Sequence, residues 1–128
     1  ASTRVTAYSR STASICGGWI ALHDACSRLV AAGLLRTHPT REACAAISVG
    51  IVSGEPALDL PYVEDSTAEV DMNVVMISSG RFVEVQGTAE GMAFSRSELD
   101  VLLGLAEKGI REIFALQDEL LSDPPHAR

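Results

Sequence analysis

Two periods of apolar and polar residues run along the 128-residue chain, and the points where one replaces the other mark its elements. "TRVTAY" has the β-branched and aromatic content of a strand ending near Tyr8. "SRSTAS" then offers several N-caps. Behind it Ile15, Trp19, Leu22, Cys26, Leu29 and Val30 recur at helical spacing, and Gly33 marks the helix end. Within that helix Gly17 and Gly18 each cost up to about 1 kcal/mol relative to alanine, which predicts close approach of the backbone to another element or a ligand.

"CAAISVGIV" is a continuous small and β-branched run, the pattern of a strand buried on both faces. A turn at "SGEP" leads to "ALDL", its expected antiparallel partner. From Val70 the chain alternates, with Val70, Met72, Val74 and Met76 on one side and Asp71 and Asn73 on the other. "SSG" is a hairpin turn. The return strand "RFVEVQGTAE" is expected to place Val83 and Val85 on one face, with Phe82, Glu84 and Gln86 on the other. The last element carries the clearest local signals. Ser95 and Glu98 form an S-x-x-E capping box, and Phe94 and Leu99 are spaced for a hydrophobic staple. Leu99, Leu102, Leu103, Ala106, Ile110, Ile113, Phe114 and Leu121 trace one apolar helix face. The sum is an α+β fold, helices packed on an antiparallel or mixed sheet.

Composition supports a single globular domain: 47% hydrophobic and 21% charged residues, in a chain long enough to bury a core. No apolar run reaches the roughly 18 residues of a membrane span, and no signal peptide is visible, so a cytoplasmic protein without a membrane partner is expected. Cys16, Cys26 and Cys44 are odd in number and lack CxxC spacing, which reads as small thiols in a reducing compartment. A net charge of −7 argues against a nucleic-acid partner on charge alone. The charge is unevenly spread: Arg4, Arg10, Arg28, Arg36 and Arg41 face a single acid, Asp24, in residues 1–41, and acids dominate afterwards. Either a basic approach lies beside an acidic centre, or these are two solvated faces.

Two stretches could carry chemistry. In "VEDSTAEVDMNVV" an extended chain would project Asp65 and Asp71 together, with Glu69 alongside. Carboxylates so placed suit Mg²⁺ or Mn²⁺, which often take one or two carboxylates plus substrate phosphates. A solvated acidic strand edge has the same spacing. In "YSRSTAS", hydroxyls, an arginine and free helix N-terminal amides would make an anion site, and an ordinary helix cap beside a surface arginine would look alike. His23, His38 and His126 are scattered among a helix, a loop and the tail, and are expected at the surface. No P-loop, GxGxxG or Ser-His-Asp order is present.

Taken together, "SVGIVSGEPALDLPYVEDSTAEVDMNVVM", "GRFVEVQGTAEG" and "FSRSELDVLLGLAEKGI" closely resemble the ribonuclease PH family, bacterial phosphorolytic 3′→5′ exoribonucleases that trim transfer-RNA precursors. The resemblance covers the C-terminal half of a typical member. It implies that residues 1–121 form a partial ribonuclease PH-like α+β domain, followed by a flexible tail at 122–128. In the family's D-S-x-A-E-V-D pattern the two aspartates support the divalent ion and the chemistry, and they match Asp65 and Asp71. The family's "GGTRTASI" phosphate motif reads "YSRSTASI" here, so Arg10, Ser11 and Thr12 are the expected phosphate-binding residues. The arginine stands one position early, and Tyr8 and Ser9 replace the glycines. The resemblance further implies Mg²⁺ or Mn²⁺ as cofactor, inorganic phosphate as co-substrate and the 3′ end of transfer RNA as partner. It also implies assembly of a homo-oligomer. A truncated, inactive module that self-associates is the alternative.

Overall fold

The computed structural model describes residues 10–58 and 68–123. The expected strand "TRVTAY" lies outside them. Helix α1 spans Arg10–Ala31, followed by strands β1 (Cys44–Val52), β2 (Glu55–Leu58), β3 (Val70–Ile77) and β4 (Phe82–Ala89), and helix α2 (Arg96–Leu121). The strands form one antiparallel sheet in the order β2-β1-β3-β4. This is the α+β architecture expected from the patterning.

Local chemistry sets the element ends. The amide of Leu34 donates to Leu29 O at 2.9 Å and that of Gly33 to Val30 O at 3.0 Å, with Gly33 at φ +75°. That is a Schellman stop, available to Gly33 because it has no Cβ to clash in the left-handed region. Ser53 and Gly54 both take positive φ (52° and 78°) in the two-residue loop that pairs Val52 with Glu55. Two such residues make a type I′ turn, whose twist suits a hairpin. At the start of α2 the Ser95 side chain accepts from the Glu98 amide, and the Glu98 carboxylate accepts from the Ser95 amide at 2.6 Å, the expected capping box.

The core lies on one face of the sheet. Ala45, Ile47, Val49 and Ile51 of β1 stand opposite Met76, Val74, Met72 and Val70 of β3. All eight are buried, as are Leu102, Ala106, Ile110 and Ile113 of α2. Phe94 and Leu99, the staple pair, pack against this cluster. β1 is buried on both faces over Ala45–Ile51, as its unbroken apolar run predicts.

β4 is exposed along nearly its whole length, because α2 packs chiefly over β1 and leaves the sheet's edge uncovered. Its alternation is also broken. Val85 pairs with Val74 and Glu84 with Val75, but a register shift then sets Phe82 opposite Met76, leaving Val83 as the extra residue of a bulge. Phe82 and Val85 therefore share the core-side face instead of opposing each other.

The α1 stripe is covered only in part. Cys26 is buried, whereas Leu22 and Leu29 are exposed. Gly17 and Gly18 are exposed too, and a Cβ on either would meet nothing within 4 Å among the described residues.

Among the described residues close approach to another element occurs at Gly109 of α2, where a Cβ would lie 2.5 Å from Ile47 Cδ1 and 2.9 Å from Leu58 Cδ1. Among the described residues no helix is long and apolar enough to cross a membrane.

The two α2 glycines separate these effects. Gly104 is exposed with open space around it, so Gly104→Ala should raise stability by up to about 1 kcal/mol through helix propensity alone. Gly109→Ala gains the same propensity but overpacks a buried site at a cost of about 1–3 kcal/mol, so it should lower stability. Urea unfolding midpoints of the two variants, moving in opposite directions, check this.

Candidate functional site

Asp71 sits in β3 with Gly50 of β1 on one side and Thr88 of β4 on the other. It belongs to the strand's second face, opposite the buried Val70, Met72, Val74 and Met76, and is half-buried. Its neighbour on that face, Asn73, accepts a 2.7 Å hydrogen bond at Oδ1 from the hydroxyl of buried Ser48, its register partner on β1. A carboxylate is thus held on a rigid central strand beside a Ser–Asn pair closed on itself. A carboxylate suits a hard divalent cation, which needs few protein carboxylates. Glu69 is exposed just before β3, its amide donating to Ile51 O and its carbonyl accepting from the Glu90 amide, both at 2.8 Å. Asp65, the expected partner of Asp71, lies outside the described residues, as does Glu64. Among the described residues no group of three or more His, Cys, Asp or Glu side chains is placed to hold a metal, so the described part of the acidic face rests on Asp71.

The other expected site opens α1. Arg10 is the first residue of the helix, Ser11 is exposed, and Thr12 is buried at 2% exposure. The first turn thus divides its hydroxyls, one to solvent and one inward. Inward-facing Thr12 and Cys16 are four apart and share a helix face. Cys16 Sγ donates to Ala46 O and accepts from the Ala46 amide, each at 3.3 Å. α1 is thereby joined to β1, the same strand that flanks Asp71.

Patterning missed two side-chain groups. His23 and His38, expected as separate surface residues, are half-buried with ring centroids 4.2 Å apart, and Trp19 lies 5.2 Å from His23. His38 Nε2 is 3.2 Å from the His23 carbonyl and 3.0 Å from Ser27 Oγ, and Nδ1 is 2.8 Å from Thr40 Oγ1. A carbonyl only accepts, so Nε2 carries a hydrogen. This cluster staples the loop after α1 back onto the helix, and nothing in a 15-residue separation signals it. His126 lies outside the described residues. Beside the cluster, Trp19, His23, Arg41, Phe114 and Asp118 line an open groove of about 690 Å³.

The second group centres on Gln117 of α2, which is 2% exposed. Its Nε2 donates to Cys44 O at 3.0 Å and Cys16 O at 3.2 Å. Burial pushes up the pKa of the Cys44 thiol at the start of β1, which favours the neutral thiol. Gln117 falls four residues after Ile113 and four before Leu121, on the apolar stripe, and the packed helices show what its amide meets.

Comparison with known proteins places this geometry. The model of the 3′ exoribonuclease family, domain 2, matches residues 43–109, which run from the start of β1 into α2. Ribonuclease PH of Syntrophomonas wolfei subsp. wolfei (strain DSM 2245B / Goettingen) is 56% identical over 110 residues, covering 86% of this chain and 46% of that protein. The chain thus spans about half the length of the curated relative it matches. Among solved structures, rice (Oryza sativa) Rrp46 superposes with a TM-score of 0.59 at 19% identity, over 80% of this chain and 46% of that one. A chain of an archaeal exosome core gives 0.52 at 18% identity, over 64% and 32%. At such identities these two speak for the fold alone. The family match covers more than half of the sequence, includes the strand that carries Asp71, and agrees with the sheet: the chain belongs to the 3′ exoribonuclease family of ribonuclease PH-like proteins.

Proposed function

We propose that this chain supplies the acidic half of a phosphate-dependent 3′→5′ exoribonuclease that trims the 3′ ends of transfer RNA. The observation that carries the reading is the 56% identity to a ribonuclease PH over 86% of the chain, joined to a half-buried Asp71 on a central strand. In the reaction a phosphate oxygen bonds to the terminal phosphorus as the bond to the 3′-oxygen breaks. A nucleoside diphosphate leaves, and the shortened RNA keeps a 3′-hydroxyl. Arg10, Ser11 and the first amides of α1 would hold the attacking phosphate, whose charge the helix N-terminus favours. Asp71, with Asp65, would hold Mg²⁺ or Mn²⁺, which when bound would supply positive charge opposite the phosphate oxygens. The acidic net charge suits that role, with basic RNA contacts supplied by the rest of the enzyme.

A second reading, a self-associating module without activity of its own, is favoured by the uncovered β4. Phe82 is 48%, Val83 62% and Val85 43% exposed on β4, which has no further strand beside it among the described residues. Such an edge is a template for pairing with another chain.

The discriminating assay incubates the chain with an RNA bearing a 3′ extension, Mg²⁺ and inorganic phosphate. Release of nucleoside diphosphates that needs phosphate, and that falls by on the order of a hundredfold or more in Asp71→Asn, supports the enzyme. An intact fold with no product leaves the module reading. Mn²⁺ should also raise the melting temperature of the wild type and not of Asp71→Asn, since an ion bound only by the native state must stabilise it. For the β4 edge, sedimentation at micromolar concentration should show a dimer or larger species that Val83→Lys shifts toward monomer. A monomeric wild type contradicts the self-association reading.

A further inference from the structure

The sheet has an unusual seam at the beginning of β1. β2 pairs with β1 only from Val49 to Val52, so on that side Cys44 to Ser48 run without a neighbouring strand among the described residues. The backbone groups there are met by side chains. Cys16 Sγ of α1 takes both the amide and the carbonyl of Ala46 at 3.3 Å. Gln117 Nε2 of α2 takes the Cys44 carbonyl at 3.0 Å and, with its other hydrogen, the carbonyl of Cys16 itself at 3.2 Å. Carbonyls only accept, so the amide orientation is set by these two bonds. Gln117 Oε1 is left buried with no hydrogen-bond partner among the described residues. An amide buried at 2% exposure with its oxygen unsatisfied is costly to keep, and what it keeps is a three-way clasp of α1, β1 and α2.

We infer that Gln117 is a positioning residue for phosphate: it sets the first turn of α1 against the strand pair that carries Asp71. The inference rests on the proposed phosphate role of that turn. Cys16 lies four residues beyond Thr12 on the same helix face, about 6 Å along the axis. On the sheet side, Ala46 pairs with Val75 and Gly50 with Asp71, so the clasp and the carboxylate stand four ladder positions apart, about 13 Å. Gln117 and Cys16 therefore index one element against the other through a rigid path. Loss of the Gln117 amide leaves the Cys44 and Cys16 carbonyls without that donor but does not touch the eight β1–β3 pairs, so the sheet keeps its register while the helix gains freedom.

Gln117→Met keeps length and helix propensity and removes the donor. Calorimetric titration with inorganic phosphate should show affinity weakened by at least about tenfold, the scale of a small misplacement of a binding group. Affinity for Mn²⁺ should stay within twofold of wild type, roughly the scatter expected for a remote site. Hydrogen exchange should quicken in the first half of α1 and not in β1 or β3. Cys16→Ala, which removes the other half of the clasp, should move phosphate affinity in the same direction. Unchanged phosphate affinity in Gln117→Met would overturn the inference alone. So would a joint fall in phosphate and Mn²⁺ affinity with exchange rising throughout, which marks a merely structural role. A wild-type chain that binds no phosphate would overturn both the inference and the phosphate reading of α1.

Discussion

The antiparallel ladder between β1 and β3 is the constraint on which everything else depends. Eight registered pairs, from Cys44 opposite Ile77 to Ile51 opposite Val70, fix every side chain of both strands to one face or the other. A slip of one residue would bring Asp71 and Asn73 into the apolar core and expel Met72 and Val74. The core therefore enforces the register, and the register presents the carboxylate. Hydrophobic burial on one face and the placement of Asp71 and Asn73 on the other are two consequences of one alignment.

The helices divide the remaining work. α2 covers the core face with Leu102, Ala106, Ile110 and Ile113, and it can lie close over Ile47 only because Gly109 lacks a Cβ. α1 packs on β1 and is tied to its neighbours at specific atoms, the Cys16 thiol at Ala46 and the Gln117 amide, while the Trp19–His23–His38 cluster returns the following loop to the helix. Its first turn is the part with an expected ligand.

Much of this was legible in the residues. The capping box at Ser95, the stop at Gly33 and the apolar stripe of α2 are local, and local chemistry decides them. The buried run of β1 and the alternation of β3 were equally plain, because both strands lie in the sheet interior. The hairpin that brings β4 back beside β3 was equally legible, but its faces were not, because a bulge at Val83 breaks the alternation and only the paired strands show it. Gly17 and Gly18 stood out in the sequence, yet the glycine that permits close packing is Gly109, in a helix whose strong pattern concealed the need. Asp71 was placed by its period-two pattern, and its chemical meaning came from family likeness, since an acidic strand edge has the same spacing. Gln117 and the histidine pair could not be seen, as their partners lie 15 to 101 residues away.

The central claim, that the β1–β3 register presents Asp71 as a divalent-ion ligand, is tested most directly by Mn²⁺ titration of the isotopically labelled chain followed by NMR. Paramagnetic broadening should appear first at the amides of Asp71 and its register partners Gly50 and Thr88, and should disappear from them in Asp71→Asn. Broadening centred elsewhere, or unchanged in the variant, would contradict the account.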